Sequence, residues 1–215
     1  FADIASSVIE EARHRNYTTI VLDSAESPEL EKDGISSLMS RQVDGIIAVP
    51  CGDDPSLFEE INRKFIPVIL IDRYFSNSML PYITTNNYLG GIDAVNLLIM
   101  NGHSNIACIQ GVVNSLPNKK RVAGYLAALD KAGIKDKALV VGNDFSIQNG
   151  YLETKLLLNK TDRPTAIFAL SNTIMLGAFR AIREAGLKIP EDISLVAFDN
   201  NIYMDYMTPA ITRIG

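Results

Sequence analysis

The sequence offers little to anyone looking for a reactive centre. Its 2 cysteines, Cys51 and Cys108, stand alone beside apolar residues. Two reduced, buried thiols are expected from that setting, not a disulfide or a metal site. Its 2 histidines, His14 and His103, have no second ligand at metal spacing. His103 follows Gly102 where a helix pattern stops, and helix-end or surface duty accounts for it. No Gly-x-Gly-x-x-Gly follows an apolar run, which speaks against a nucleotide-binding enzyme. No nucleophile–base pair appears either, so neither catalysis nor a cofactor is expected. Positive charge is short: 20 Lys and Arg face 25 Asp and Glu, a net charge of -5. That leaves no basic face to grip nucleic-acid phosphates. No apolar run approaches the length of a membrane span. No signal-peptide pattern opens the chain, although its abrupt start at Phe1 is compatible with trimming.

What the sequence has in quantity is alternation. Within residues 2–15, Ile4, Ala5, Val8, Ile9 and Ala12 fall on one helical face. Residues 18–22 are β-branched and read as a strand. Residues 28–41 read as a helix, with Pro28 suited to its first turn. Further strand patterns lie at 45–49, 68–71, 82–85, 106–110, 138–141, 166–170 and 193–198; further helix patterns lie at 57–64, 88–100, 119–132, 150–158 and 174–185. Such alternation predicts doubly wound parallel sheets with helices on both faces. It runs once before about residue 85 and again after it. The loop 73–81, with Ser76-Asn77-Ser78, is the natural boundary zone. The expectation is therefore an α/β chain of two parallel-sheet lobes, 1–85 and 86–215.

The segment from Gly186 to Asn200 is the most informative. Gly186 suits the left-handed cap that ends a helix. Pro190 blocks a return to helix. Residues 193–198 are almost wholly apolar, as in a strand buried on both faces of a parallel sheet. The run ends at Asp199 and Asn200, just past the carboxyl end of that strand, where open α/β sheets bind ligands. Asp72 ends an earlier strand pattern in the same way.

The wording of several segments resembles the effector-binding domain of the LacI/GalR (lactose- and purine-repressor) family. Gly186-Leu-Lys-Ile-Pro-Glu-Asp-Ile-Ser-Leu-Val-Ala-Phe-Asp-Asn200 carries the strongest likeness. Val43-Asp44-Gly45-Ile46-Ile47 and Val68-Ile69-Leu70-Ile71-Asp72-Arg73 are similar to two of its strands. Asn86-Asn87-Tyr88-Leu89-Gly90-Gly91, Asn101-Gly102-His103 and Arg121-Val122-Ala123-Gly124-Tyr125 match further marks, as does Thr208-Pro209-Ala210-Ile211-Thr212 before a lobe crossing. Each mark is weak alone; their order and spacing together are strong. On this alignment the helix-turn-helix head, the first strand of the N-lobe and everything after the crossing at Gly215 are absent, so the chain reads as an incomplete effector domain.

The resemblance implies a periplasmic-binding-protein-like fold of type I with the ligand in a cleft between lobes. It makes Asp199 the carboxylate that anchors the effector and Arg121 the arginine opposite it. It places Phe1 and Phe145 as pocket aromatics, Asp72 as a further ligand contact and Ser171 at an effector-contacting position. The local Ser171-Asn172-Thr173-Ile174-Met175 departs from the family wording. The bland alternative for Asp199 is a turn former that ends the strand, and for Arg121 a place in a solvated basic run with Lys119 and Lys120. Phe1 and Phe145 are ordinary aromatics on that reading. Asp72 then pairs locally with Arg73, and Ser171 or Asn172 caps a helix. Carboxylate and guanidinium groups suit a polyhydroxylated ligand, and aromatic faces cover a sugar or base ring. The implied function is a cytoplasmic, homodimeric regulator that binds a small effector, a sugar or sugar derivative. It would reach operator DNA through a head outside this chain. A periplasmic sugar receptor of a transporter is the alternative.

Overall fold

The computed structural model describes residues 2–215, which divide into a first unit ending at Ile83 and a second unit, Thr84–Gly215. The first unit contains α1 (Ala2–His14), α2 (Pro28–Ser40), β1 (Ile46–Ala48), α3 (Ser56–Arg63), β2 (Val68–Ile71) and β3 (Tyr82–Ile83). Ser27 starts α2: its hydroxyl accepts the Leu30 N–H, and Pro28 follows where no N–H is needed. The three strands pair in parallel in the order β1-β2-β3. Ile46, Val68 and Leu70 share one face and are buried with Ile35 of α2 and Phe58 and Ile61 of α3. On the other face Ile47 is 52% exposed, and α1 contributes no buried residue.

One departure from expectation is the stretch 18–22, which forms no strand; Ile20, Val21 and Leu22 are exposed. β-branched residues favour a strand only where neighbours supply a ladder and a packed face, and among the described residues nothing pairs with this segment.

The second unit contains α4 (Asn87–Met100), β4 (Ile106–Ile109), α5 (Leu116–Lys131), β5 (Leu139–Val141), α6 (Ile147–Leu158), β6 (Ala166–Ala169), α7 (Asn172–Glu184), β7 (Ser194–Phe198) and β8 (Thr212–Ile214), with 3-10 turns at Lys135–Lys137 and Ile202–Tyr206. All five strands run parallel in the order β5-β4-β6-β7-β8. Strand residues alternate between two cores. Ile106, Cys108, Phe168, Val196 and Phe198 pack with α4 and α5, while Ala107, Ile109, Ile167, Ala169, Leu195 and Ala197 pack with α6 and α7. This near-continuous burial is what the unbroken apolar runs predict for a sheet covered on both faces.

Each helix pair approaches closely through glycine. A Cβ on Gly177 would lie 2.0 Å from the Ile147 carbonyl oxygen, and one on Gly150 2.1 Å from that of Ile174. Two details were not visible in the sequence patterns. Pro117 lies in the first turn of α5, which starts ahead of the apolar periodicity. The short β8 adds an edge to β7 where only a lobe crossing was expected. Cys51 and Cys108 are both free and buried, and burial pushes the Cys108 thiol well above its usual range.

Candidate functional site

Parallel strands deliver their outgoing loops to one edge of a sheet. In the second unit the chain leaves β4 toward β5 and then returns to β6 on the other side of β4. That reversal makes the carboxyl ends of β4 and β6 a topological switch point, the usual ligand position in doubly wound sheets. Gln110 and Gly111 follow β4, Leu170 and Ser171 follow β6, and Asp199 and Asn200 follow β7.

Arg121, on the second turn of α5, organises this edge although it is almost wholly buried. Its Nε donates to Asn87 Oδ1 at 2.8 Å, and Nη1 donates to the Leu170 carbonyl at 2.6 Å. Its two terminal nitrogens form a fork on Asp199, Nη2 to Oδ1 at 3.1 Å and Nη1 to Oδ2 at 3.3 Å. The flat face of the guanidinium lies 3.7 Å from the centroid of the Phe198 ring. A planar five-donor group is suited to this combination of stacking, fork and carbonyl contact. Asp199 is different: its side chain keeps 42% exposure against 6% for Arg121, so the carboxylate is the group displayed to solvent. Its backbone is left-handed, φ 71°, a conformation that aspartate adopts more readily than most residues and that costs about 1–3 kcal/mol when imposed.

Phe145 and Ser171 belong to the same edge. The Phe145 ring covers Gly111; a Cβ there would lie 2.2 Å from the ring. Ser171 Oγ accepts the Ile174 N–H at 3.2 Å and lies 2.9 Å from Thr173 Oγ1, which donates to the Phe145 carbonyl. Ser171 is thus the N-cap of α7, and its hydroxyl is engaged within the protein. Asn118 ties the first loop down: its Oδ1 accepts the Gly111 N–H at 2.8 Å and its Nδ2 donates to Gln110 Oε1 at 3.1 Å. Tyr203 stands near Asp199; burial first, then the Asp199 charge, pushes its phenol above the usual range.

In the first unit, Asp72 and Arg73 follow β2. Asp72 repeats the left-handed backbone of Asp199, φ 66°. Arg73 closes a fork on Glu26, Nη1 to Oε2 at 2.6 Å and Nη2 to Oε1 at 2.8 Å. Arg73 thus reaches Glu26, 47 positions away, and the adjacent Asp72 charge also favours its charged form. Glu31 accepts the Cys51 N–H at 2.7 Å, and burial raises its carboxyl above the ordinary range.

Of the sequence candidates, Arg121 and Asp199 are brought into direct contact, and Phe145 and Ser171 share their edge. Asp72 sits at the carboxyl edge of the first unit's sheet. Phe1 lies outside the described residues. The resemblance sets Arg121 opposite Asp199, and in the structure the two form one ion pair. Sequence reasoning misses Asn87, Asn118, Tyr203 and Glu26. For Asn87 and Asn118 the only signal is spacing, since each falls within the first turn of a helix that starts at this edge.

A sequence profile described as periplasmic binding proteins and the sugar binding domain of the LacI family matches residues 1–203. The HTH-type transcriptional regulator DegA of Bacillus subtilis is 31% identical over 219 residues, an alignment covering 100% of this chain and 65% of DegA. The HTH-type transcriptional repressor PurR of Vibrio atlanticus is likewise 31% identical, over 217 residues and the same shares. The chain therefore spans 65% of the length of each of these relatives. Among solved structures, a LacI family transcriptional regulator from Enterococcus faecium with bound ribose superposes with a TM-score of 0.86 at 28% identity, covering 99% of this chain and 78% of that one.

Proposed function

The chain belongs to the family of periplasmic binding proteins and LacI-type sugar-binding domains, and on that premise we propose that it is the effector-binding and dimerisation domain of a LacI-type transcriptional regulator. The observation that carries the reading is the Arg121–Asp199 fork at the switch-point edge, which leaves the aspartate exposed to solvent. The proposed ligand is a sugar or sugar derivative, with Asp199 as acceptor for its hydroxyls. Phe145 supplies an apolar surface, and Asp72 makes a further contact. Ser171 acts through the α7 cap that shapes the loop.

The relatives DegA and PurR are named as regulators, which supports this reading over a transporter's receptor. The protein is proposed to work by binding, without catalysis and without a cofactor. A ligand that prefers one conformation of the domain shifts the population toward it, and coupling to an operator-bound homodimer would follow from that shift. No helix among the described residues is long and apolar enough to cross a membrane, and a cytoplasmic location is proposed with the regulator reading.

The test is a thermal-shift screen of the intact protein against sugars, sugar phosphates and nucleobases, since a ligand specific to the native state raises the melting temperature. The hit is then titrated calorimetrically into Asp199→Asn, where affinity falls by about 1.5–3 kcal/mol as an ionised acceptor is lost. Unchanged affinity removes Asp199 from the site. A screen without any sugar hit removes the ligand class.

A further inference from the structure

The charge balance at the carboxyl edges goes beyond naming a sugar. In the second unit Arg121 is the guanidinium at the switch point, and its donors reach Asn87, Leu170 and both oxygens of Asp199. Its stacking face is taken by Phe198. Arg213, on β8, is similarly closed, with Nε on Asn200 Oδ1 and Nη2 on Asp205 Oδ1, both at 2.6 Å. Lys119 and Lys120 are exposed, but an advance of about 100° per residue carries them round α5 from the side shared by Asn118 and Arg121. The caps that open α6 and α7 are filled by Ser146 and Ser171, so those helix N-termini already have acceptors. In the first unit, taken alone, one guanidinium, Arg73, stands among the carboxylates of Glu26, Glu31 and Asp72.

We propose that Asp199 sets the charge selectivity of the site: by closing the Arg121 fork it commits this edge to an uncharged, hydroxyl-rich ligand and excludes phosphorylated or carboxylated ones. The inference rests on the reading of this edge as the effector site. The chemistry is direct. A phosphate or carboxylate needs an open guanidinium fork to replace its hydration. Here that fork holds a carboxylate of the protein, and an incoming anion would face Asp199 as a like charge. A neutral hydroxyl meets no such penalty and donates to the exposed side of the same carboxylate.

The test has two arms on the full chain. The first measures thermal shifts with ribose and ribose 5-phosphate, glucose and glucose 6-phosphate, and fructose and fructose 6-phosphate. In every pair that responds, the free sugar is the tighter member by at least about tenfold, the factor set by 1.4 kcal/mol. A phosphorylated sugar that is the tighter member overturns the inference.

The second arm needs no knowledge of the effector. Inorganic phosphate is titrated against chloride at matched ionic strength into the parent protein, Asp199→Asn and Asp199→Ser, with circular dichroism confirming the fold of each. The parent shows no saturable response, and at least one folded variant gains saturable phosphate binding at the opened Arg121. That gain disappears when Arg121→Met is added. A parent that already binds phosphate saturably, or folded variants that gain nothing, overturns the inference. A phosphate gain with no sugar response in the first arm upholds the charge role of Asp199 and sinks the sugar reading.

Discussion

Replacing Arg121 by methionine should unsettle the second unit far more than replacing Asp199 by asparagine. Methionine keeps the apolar stem of the side chain and deletes the guanidinium. Two buried acceptors then lose a charged donor: Asn87 Oδ1 at 2.8 Å and the Leu170 carbonyl at 2.6 Å. Hydrogen bonds to charged groups contribute about 1.5–3 kcal/mol each, and a stacked cation on Phe198 contributes about 0.5–2 kcal/mol more. Methionine recovers part of this by packing, which leaves a loss of about 3–5 kcal/mol, the size seen when one partner is removed from a buried charged pair. Asp199 is 42% exposed along its side chain, so water takes over much of what Arg121 gave it. Its substitution costs about 1 kcal/mol or less, as for exposed ion pairs. Urea unfolding followed by far-UV circular dichroism, on both single variants and the double, gives these numbers and a coupling of about 0.5–1 kcal/mol. A loss under about 1 kcal/mol for Arg121→Met, or equal losses for the two single variants, refutes the assignment of Arg121 as the buried organiser and Asp199 as the displayed group.

Gly177→Ala places a methyl 2.0 Å from the Ile147 carbonyl oxygen; because backbone must move, a destabilisation of about 3 kcal/mol is expected in the same unfolding assay. Tyr125→Phe removes a phenol that donates to the Ile106 carbonyl at 2.8 Å and accepts the Leu139 N–H at 2.9 Å. It should cost about 1–3 kcal/mol, and a neutral outcome would show that these groups find other partners. Burial pushes the Tyr125 phenol up from 10.0 to about 12. A raised folded-state pKa gives stability that is complete below pH 10.0 and lost as pH climbs toward about 12; alkaline melts of the parent should fall in that window, and those of Tyr125→Phe should fall less. His103 is bonded through its ring nitrogens to Thr165 Oγ1 and Ser194 Oγ, both at 2.9 Å, and burial lowers its pKa from 6.5. A lowered folded-state pKa means stability present above pH 6.5 and lost as pH falls below it. Melting curves of the parent and His103→Gln on either side of that pH should differ in acid slope; identical slopes would exclude the histidine.

The fold of the second unit was legible because each of its inner strands is buried on both faces. Ile106 to Ile109 and Ala166 to Ala169 are buried throughout, so their apolar runs needed no neighbouring context. Gly102, Gly133 and Gly186 take positive φ where the helix patterns stop, and a left-handed cap is written in sequence by glycine. The first unit was less legible. Residues 18–22 have the composition of a strand, but propensity expresses packing against neighbours as much as backbone preference. With no ladder partner among the described residues, these residues form no strand, and Ile20, Val21 and Leu22 stay exposed. The short β8 was hidden for the converse reason. It has three residues, too few for a period-2 pattern, and is held by pairing with β7.

The candidate site follows the same division. Asp199 was readable because a helix stop, a buried strand and that strand's carboxyl end converge on it within one segment. Arg121 sat in a basic run whose ordinary reading is a solvated turn, and nothing local separates it from Lys119 and Lys120. Its burial comes from residues remote in sequence, Asn87, Leu170 and Asp199, which lie 34, 49 and 78 positions away. Long-range partners of this kind leave no trace in spacing, which is why the ion pair was not legible in the sequence. The pairing changes the chemistry expected of the edge. An open arginine would attract any anion, whereas an arginine closed by aspartate is a rigid mount for an acceptor. The sequence therefore carried the identities of both residues, but only their contact determines which of the two is displayed to solvent.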